Sequence, residues 1–84
     1  MEVHRSISKH SESQHKRISL FRSLDAQREL AIEDAVRKCQ NGEEFSIEAI
    51  NAVTAEINEL ANQGIVPTRK LVTKDMIQQY VEKL

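Results

Sequence analysis

Three histidines (His4, His10 and His15) and one cysteine (Cys39) are the side chains here best suited to metal or nucleophile chemistry. A metal needs nitrogen, sulfur or carboxylate donors converging on one point. On a helix, the five-residue step from His10 to His15 turns the two rings about 140° apart. His4 and His15 share a face but lie about 16 Å apart along the axis. No HExxH, paired-cysteine or His/Cys finger spacing occurs, so no metal or other cofactor is expected, and the histidines read as solvated or interface residues. Cys39 lies beside Ala35 and Val36 on an apolar stripe. With no base partner in view, it reads as a buried, inert thiol. The chain also lacks a Gly-rich phosphate loop and a Ser/His/Asp arrangement. Its carboxylates fall on polar helix faces, and a chain this short rarely encloses a pocket. No catalytic residue is assigned, and the expectation is a protein that is not an enzyme.

Arg69 and Lys70, in the stretch "GIVPTRKLVT" at residues 64–73, are the next candidates, as ligands for phosphate or nucleic acid. Together with Lys74 they would face an anion from the tip of a connector between two helices. Three features weigh against DNA. The connector is far longer than the three or four residues of a helix-turn-helix. The helix before it is acidic and repels phosphate. The helix after it opens with Lys74 followed at once by Asp75, offering little to read a base edge.

These residues must be positioned by helices. The 84 residues hold two glycines, one proline and no tryptophan, and 30% are charged, the composition of a helix former. A single cysteine excludes an intramolecular disulfide and with it a disulfide-stapled secreted scaffold. The opening "MEVHRSISKH" has no apolar core of a signal peptide, and no run approaches the roughly 18 apolar residues of a membrane span. A cytoplasmic chain that does not enter membranes is expected.

Ile18, Phe21, Leu24, Ile32, Ala35, Val36 and Cys39 follow three-four spacing, widened by Leu20, Leu30 and Ala31. This predicts a first helix over about residues 13–41, ended by Gly42 at the first position beyond the helix. Residues 1–12 are expected to be partly disordered, or ordered by a partner. Ser46 caps a second helix over 47–63, with Phe45 stapled to Ile50 and Gly64 as the stop. Its core stripe is Ile47, Ile50, Val53, Ile57 and Leu60. Thr73 caps a third helix running to the C-terminus, with Val72 stapled to Ile77, and Met76, Ile77, Tyr80, Val81 and Leu84 on one face. In the connector, Ile65, Val66, Leu71 and Val72 are expected in the core, leaving Thr68, Arg69 and Lys70 at an exposed tip. The fold class is therefore all-α: a small bundle in which a long N-terminal helix packs on a two-helix hairpin, with residues 13–84 as one three-helix domain.

Several of these stretches resemble a known family. "VHRSISKH", "QH" at 14–15, "AVRKCQNG", Phe45, "INAVTAEINELANQGIVPTRKLVTKDM" and "YV" are similar to the YpbS-like proteins of Bacillus and related bacteria. The resemblance covers nearly the whole chain and is most specific from Ile50 to Thr73. It implies a cytoplasmic protein of spore-forming Gram-positive bacteria, and it brings no activity, ligand or catalytic residue to carry over.

Charge and length then suggest a role. Five cations against two glutamates leave residues 1–22 at +3, whereas residues 43–63 hold five glutamates and no Lys or Arg. A first helix of roughly 40 Å cannot be covered by a second of roughly 25 Å. Ile18, Phe21 and Leu24 near the overhang are therefore read as the contact face of a homodimer or of another protein, oriented by the charge difference. A nucleic-acid-associated regulator, using residues 68–74 and the basic N-terminus, is the second reading.

Overall fold

In the computed structural model, the backbone is described for residues 2–64 and 66–84, and side chains for 15–64 and 66–84. The described residues fold as three helices: α1 (Glu2–Gln40), α2 (Glu48–Ala61) and α3 (Lys74–Glu82). The fold is all-α, and α1 packs against both of the others, whose backbones do not approach each other.

Each helix end has a local cause. Gly42, at φ +72°, takes the left-handed conformation that glycine alone adopts without a Cβ penalty. That turn lets the Glu43 N–H reach the Lys38 carbonyl at 2.9 Å and the Gly42 N–H reach the Cys39 carbonyl at 3.1 Å, the two bonds of a Schellman stop. Gly64, at φ +93°, repeats the device after α2, its N–H bonded to the Ala61 carbonyl at 2.9 Å. The expected seal of Ile65 on Leu60 lies outside the described residues. Ser46 accepts from the Glu48 N–H at 3.1 Å but is not the cap expected of it: α2 starts one residue later, with Ile47 at the N-cap and no side-chain cap bond there. Thr73 caps α3 as its sequence indicates, accepting from the Met76 N–H at 3.2 Å.

Two apolar clusters hold the helices together. Ala35, Ile50, Val72 and Ile77 form one, with Phe45 and Cys39 packed against it; Leu24, Ile57 and Leu60 form the other, with Phe21, Val53 and Val66 around them. As α2 advances from Ile50 to Leu60, its contact on α1 retreats from Ala35 to Leu24. The two helices are therefore antiparallel, as a short connection requires. Cys39 is only partly buried.

The lengths decide the outline. α1 has 39 residues against 14 in α2 and 9 in α3. At 1.5 Å per residue, α1 is about 58 Å long and α2 about 21 Å. The molecule measures 61 × 20 × 18 Å, so α1 sets its longest dimension. α2 reaches back along α1 only to the level of Leu24 and Leu20. The described side chains from His15 to Leu20 are exposed except for half-buried Arg17. Among the described residues no helix is long and apolar enough to cross a membrane.

Apolar assignments from the pattern fail in the connector, on α1 and on α3. Leu71 is exposed, because the extended connector alternates its side chains and gives the inward place to Val72. Leu30 projects from the far side of α1 and is also exposed. On α3 only Ile77 is buried and Val81 half-buried; Met76, Tyr80 and Leu84 stand out of the core because α3 meets a single neighbour, α1.

Candidate functional site

The connector between α2 and α3 is held by side chains from both α1 and α2. Extended backbone beside a helix has no ladder to satisfy its N–H and C=O groups. Here side chains of α2 take that place. The Asn58 carboxamide accepts from the Arg69 N–H at 2.8 Å and donates to the Arg69 carbonyl at 3.0 Å. Asn51 does the same for Val72, accepting at 2.8 Å and donating at 2.9 Å. A carboxamide carries one acceptor and a donor in the geometry of a peptide, so each asparagine imitates a neighbouring strand. The register is fixed by geometry. Seven residues of helix rise about 10.5 Å, and three residues of extended chain span about 10 Å. Positions 51 and 58 on α2 therefore match positions 72 and 69 on the connector, running antiparallel.

Arg28 of α1 closes the arrangement. Its Nε donates to Thr54 Oγ1 at 2.8 Å and its Nη2 to the Lys70 carbonyl at 2.9 Å. Thr54 is fully buried, and its hydroxyl donates in turn to the Ile50 carbonyl at 2.8 Å. Among the described residues no buried side-chain polar atom lacks a partner.

Arg69 is not at a free tip. Its Nε lies 3.0 Å from Asp25 Oδ1, and its guanidinium sits 5.2 Å from the centre of the Phe21 ring. The hydrogen bond to Asp25, working against the burial of the cation, holds the Arg69 pKa above its ordinary value. The expectation of an exposed Thr68–Lys70 tip is thereby corrected for Arg69, because the Asn58 clamp turns this stretch back onto α1. Lys70 and Thr68 are exposed. Arg69→Ala is expected to destabilise the fold by about 1 kcal/mol, a half-exposed ion pair with one stacked cation. Urea titration checks this, and the difference from wild type should shrink at high salt.

The expected contact face on α1 divides in the same way. Leu24 is 6% exposed, beneath Ile57 and Leu60 of its own chain, and Phe21 is half-buried against the same cluster and under Arg69. Neither offers a free surface in the folded chain; the connector, folded over α1 at this level, is what covers Phe21. Ile18, 37% exposed, and Leu20, 50% exposed, do remain open.

Elsewhere a groove of about 380 Å³ runs between α1 and α3, with Ile32 and Val36 on one side and Met76 and Tyr80 on the other. No sequence signal marked it, since each of its walls reads as ordinary core stripe. Among the described residues no three His, Cys, Asp or Glu side chains could hold a metal ion. His15 is exposed, and the side chains of His4 and His10 lie outside the described residues.

A family model described as a protein of unknown function, DUF2533, matches residues 1–83. The chain belongs to the DUF2533 family. A DUF2533-sized relative, described as uncharacterized protein YpbS, from Bacillus subtilis (strain 168), is 52% identical over 83 residues, covering 99% of this chain and 98% of that one. No solved structure matches the chain.

Proposed function

We propose that this DUF2533 protein is a non-enzymatic interaction module that binds other polypeptide through the uncovered end of α1, with a second copy of itself as the partner. The observation that carries the reading is the disparity of lengths: a 39-residue helix beside helices of 14 and 9. An isolated helical arm is marginal in water unless a partner packs on it. The charge pattern gives the encounter a direction, since residues 1–22 are net positive and the 43–63 segment is net negative. Glu43, Glu44, Glu48, Glu56 and Glu59 are exposed, and no ion pair among the described residues involves them. The non-enzymatic part rests on where the polar groups are used. Arg28, Asn51, Thr54, Asn58 and Arg69 are occupied in holding the connector.

Sedimentation over a wide concentration range tests this. The wild-type chain should associate. The double substitution Ile18→Asp with Leu20→Asp should weaken that association by at least about tenfold, because two charges would enter the contact. Both positions are open in the single chain, so the helical circular dichroism should be unchanged. A wild-type chain that stays monomeric at every concentration would sink self-association.

The nucleic-acid reading gains no support from this arrangement. Its strongest cation, Arg69, is paired with Asp25, and Lys74 lies over Phe45 near Glu43 and Glu44, which leaves Lys70 as the exposed cation of the Thr68–Lys70 tip.

A further inference from the structure

α3 and the two residues that follow it, Lys83 at the C-cap and Leu84, leave two rows of side chains outside the core, and each row steps by four residues. Met76, Tyr80 and Leu84 form the apolar row, 43%, 55% and 69% exposed. Asp75, Gln79 and Lys83 form the polar row next to it, and all three are exposed. Steps of four on a helix keep residues on one slowly drifting line. The apolar row walls the groove between α1 and α3 with Met76 and Tyr80. Nothing else in the described chain lies over it.

Both rows are complementary to their own reversal. Turn a second α3 antiparallel about a two-fold axis close to Gln79 and Tyr80. Met76 then faces Leu84 of the second copy, and Tyr80 faces Tyr80. In the neighbouring row Asp75 faces Lys83 of the second copy, Lys83 faces its Asp75, and the two Gln79 carboxamides meet as donor and acceptor. In an antiparallel helix pair the residues flanking the apolar seam on one side meet the same flank of the partner, as this arrangement needs. A two-fold contact demands a patch that is its own partner, and opposite charges at the two ends of one row are how a helix supplies it.

We infer that a second copy of this chain docks through α3, two α3 helices pairing antiparallel over Met76, Tyr80 and Leu84, with Asp75 and Lys83 setting the direction. The pair extends the bundle into a four-helix layer, α1–α3 of one copy against α3–α1 of the other, and covers the mouths of both grooves. This contact is separate from the α1 arm and does not depend on it. An α3 dimer leaves the two arms free for the α1 contact with further copies.

The helix dipole offers a competing account of the charges alone. An acid in the first turn of α3, Asp75, and a base at its C-cap, Lys83, are favourable in the monomer. The dipole does not account for an exposed apolar row beside them, and it predicts the opposite outcome in a charge swap. Asp75 and Lys83 are eight residues apart, about 12 Å along the helix, so they do not pair within a chain.

The test is sedimentation equilibrium of the full chain carrying Ile18→Asp and Leu20→Asp, so that the arm contact is already removed. This chain should still dimerise. Adding Asp75→Lys should raise the dimer dissociation constant by at least about tenfold, since symmetry places two like-charge pairs in one interface. Lys83→Asp should do the same. The double swap Asp75→Lys with Lys83→Asp should restore dimerisation, although it opposes the helix dipole at both ends. Circular dichroism on each variant confirms that α3 is retained, and Tyr80→Ser gives a charge-independent loss of the dimer. A monomeric arm-substituted chain at all concentrations overturns the α3 contact, as does a dimer indifferent to both single swaps or a double swap no better than either. An arm-substituted chain that is dimeric, with the same mass as a dimeric wild type, would count against the α1 reading and support the α3 contact.

Discussion

Ile57→Ala is expected to destabilise this protein by about 3–4 kcal/mol, the upper range for removing a buried branched side chain. Ile57 is fully buried and clusters with Leu24 and Leu60, the other two buried members among the described residues. Three helices of one thickness cannot collapse into the vacated space without pulling α2 off α1, so the cavity term adds to the transfer term. In a domain of this size 1 kcal/mol shifts the melting temperature by about 4–8 °C. The variant should therefore melt more than about 12 °C below wild type, or be unfolded at 37 °C. Thermal circular dichroism measures it. Leu24→Ala is the instructive companion. If Leu24 belonged to an intermolecular face, its loss would depend on protein concentration. Placed beneath Ile57 and Leu60, it should cost about 2–4 kcal/mol at any concentration. A loss that vanished on dilution would show that Leu24 packs between chains.

The second large effect belongs to the asparagines. Asn51→Ala should cost about 2 kcal/mol and Asn58→Ala a similar amount. Each removal breaks two hydrogen bonds and leaves one backbone N–H and one C=O of the connector without their partner. The paired groups are part-buried, so water recovers some of the loss and the cost stays below that of a fully dry site. Asn58→Asp separates the two halves of the clamp. It keeps the acceptor for the Arg69 N–H, discards the donor to the Arg69 carbonyl, and should fall between wild type and alanine. The double variant Asn51→Ala with Asn58→Ala should release the connector from α2 and with it α3. Amide hydrogen exchange should then rise selectively at Arg69 and Val72, while the Ile57–Leu60 half of α2 stays protected. Uniform acceleration over the whole chain would mean that the connector and the helices open as one unit.

The clamp also shows what a one-dimensional pattern conceals. Ser46, Thr73, Gly42 and Gly64 act within four residues of themselves, and their roles follow from their neighbours in the chain. The buried positions Ile50, Ile57, Leu60 and Ile77 follow from three-four spacing, because a helix of period 3.6 puts them on one side whatever it packs against. Asn51 and Asn58 carried a weaker signal: two carboxamides seven residues apart on the flank of an apolar stripe. Nothing in the sequence states that an extended segment would pass alongside at the matching rise. Arg28 carried no signal at all, since its partners are 26 and 42 residues away. Arg69 was misread for the same reason. A basic residue after a proline between helices reads as a loop tip, and only the return of the chain onto α1 brings it to Asp25 and Phe21.

The candidate surfaces divide along that line. That α1 outruns its covers is legible from element lengths, because rise per residue is a constant of the helix. Which of its apolar residues remain uncovered is not, because that depends on where α2 stops and where the connector crosses. Ile18 stayed open and Leu24 did not, although both lie on the same periodic stripe. The exposure of Met76, Tyr80 and Leu84 is a property of α3 having a single neighbour. Local rules thus determined that there are three helices among the described residues, the glycine stops of the first two, the Thr73 cap and the buried positions of α2. Tertiary structure decided which polar side chains are spent on the connector and which apolar rows are left for a partner, because both depend on contacts between residues far apart in the chain.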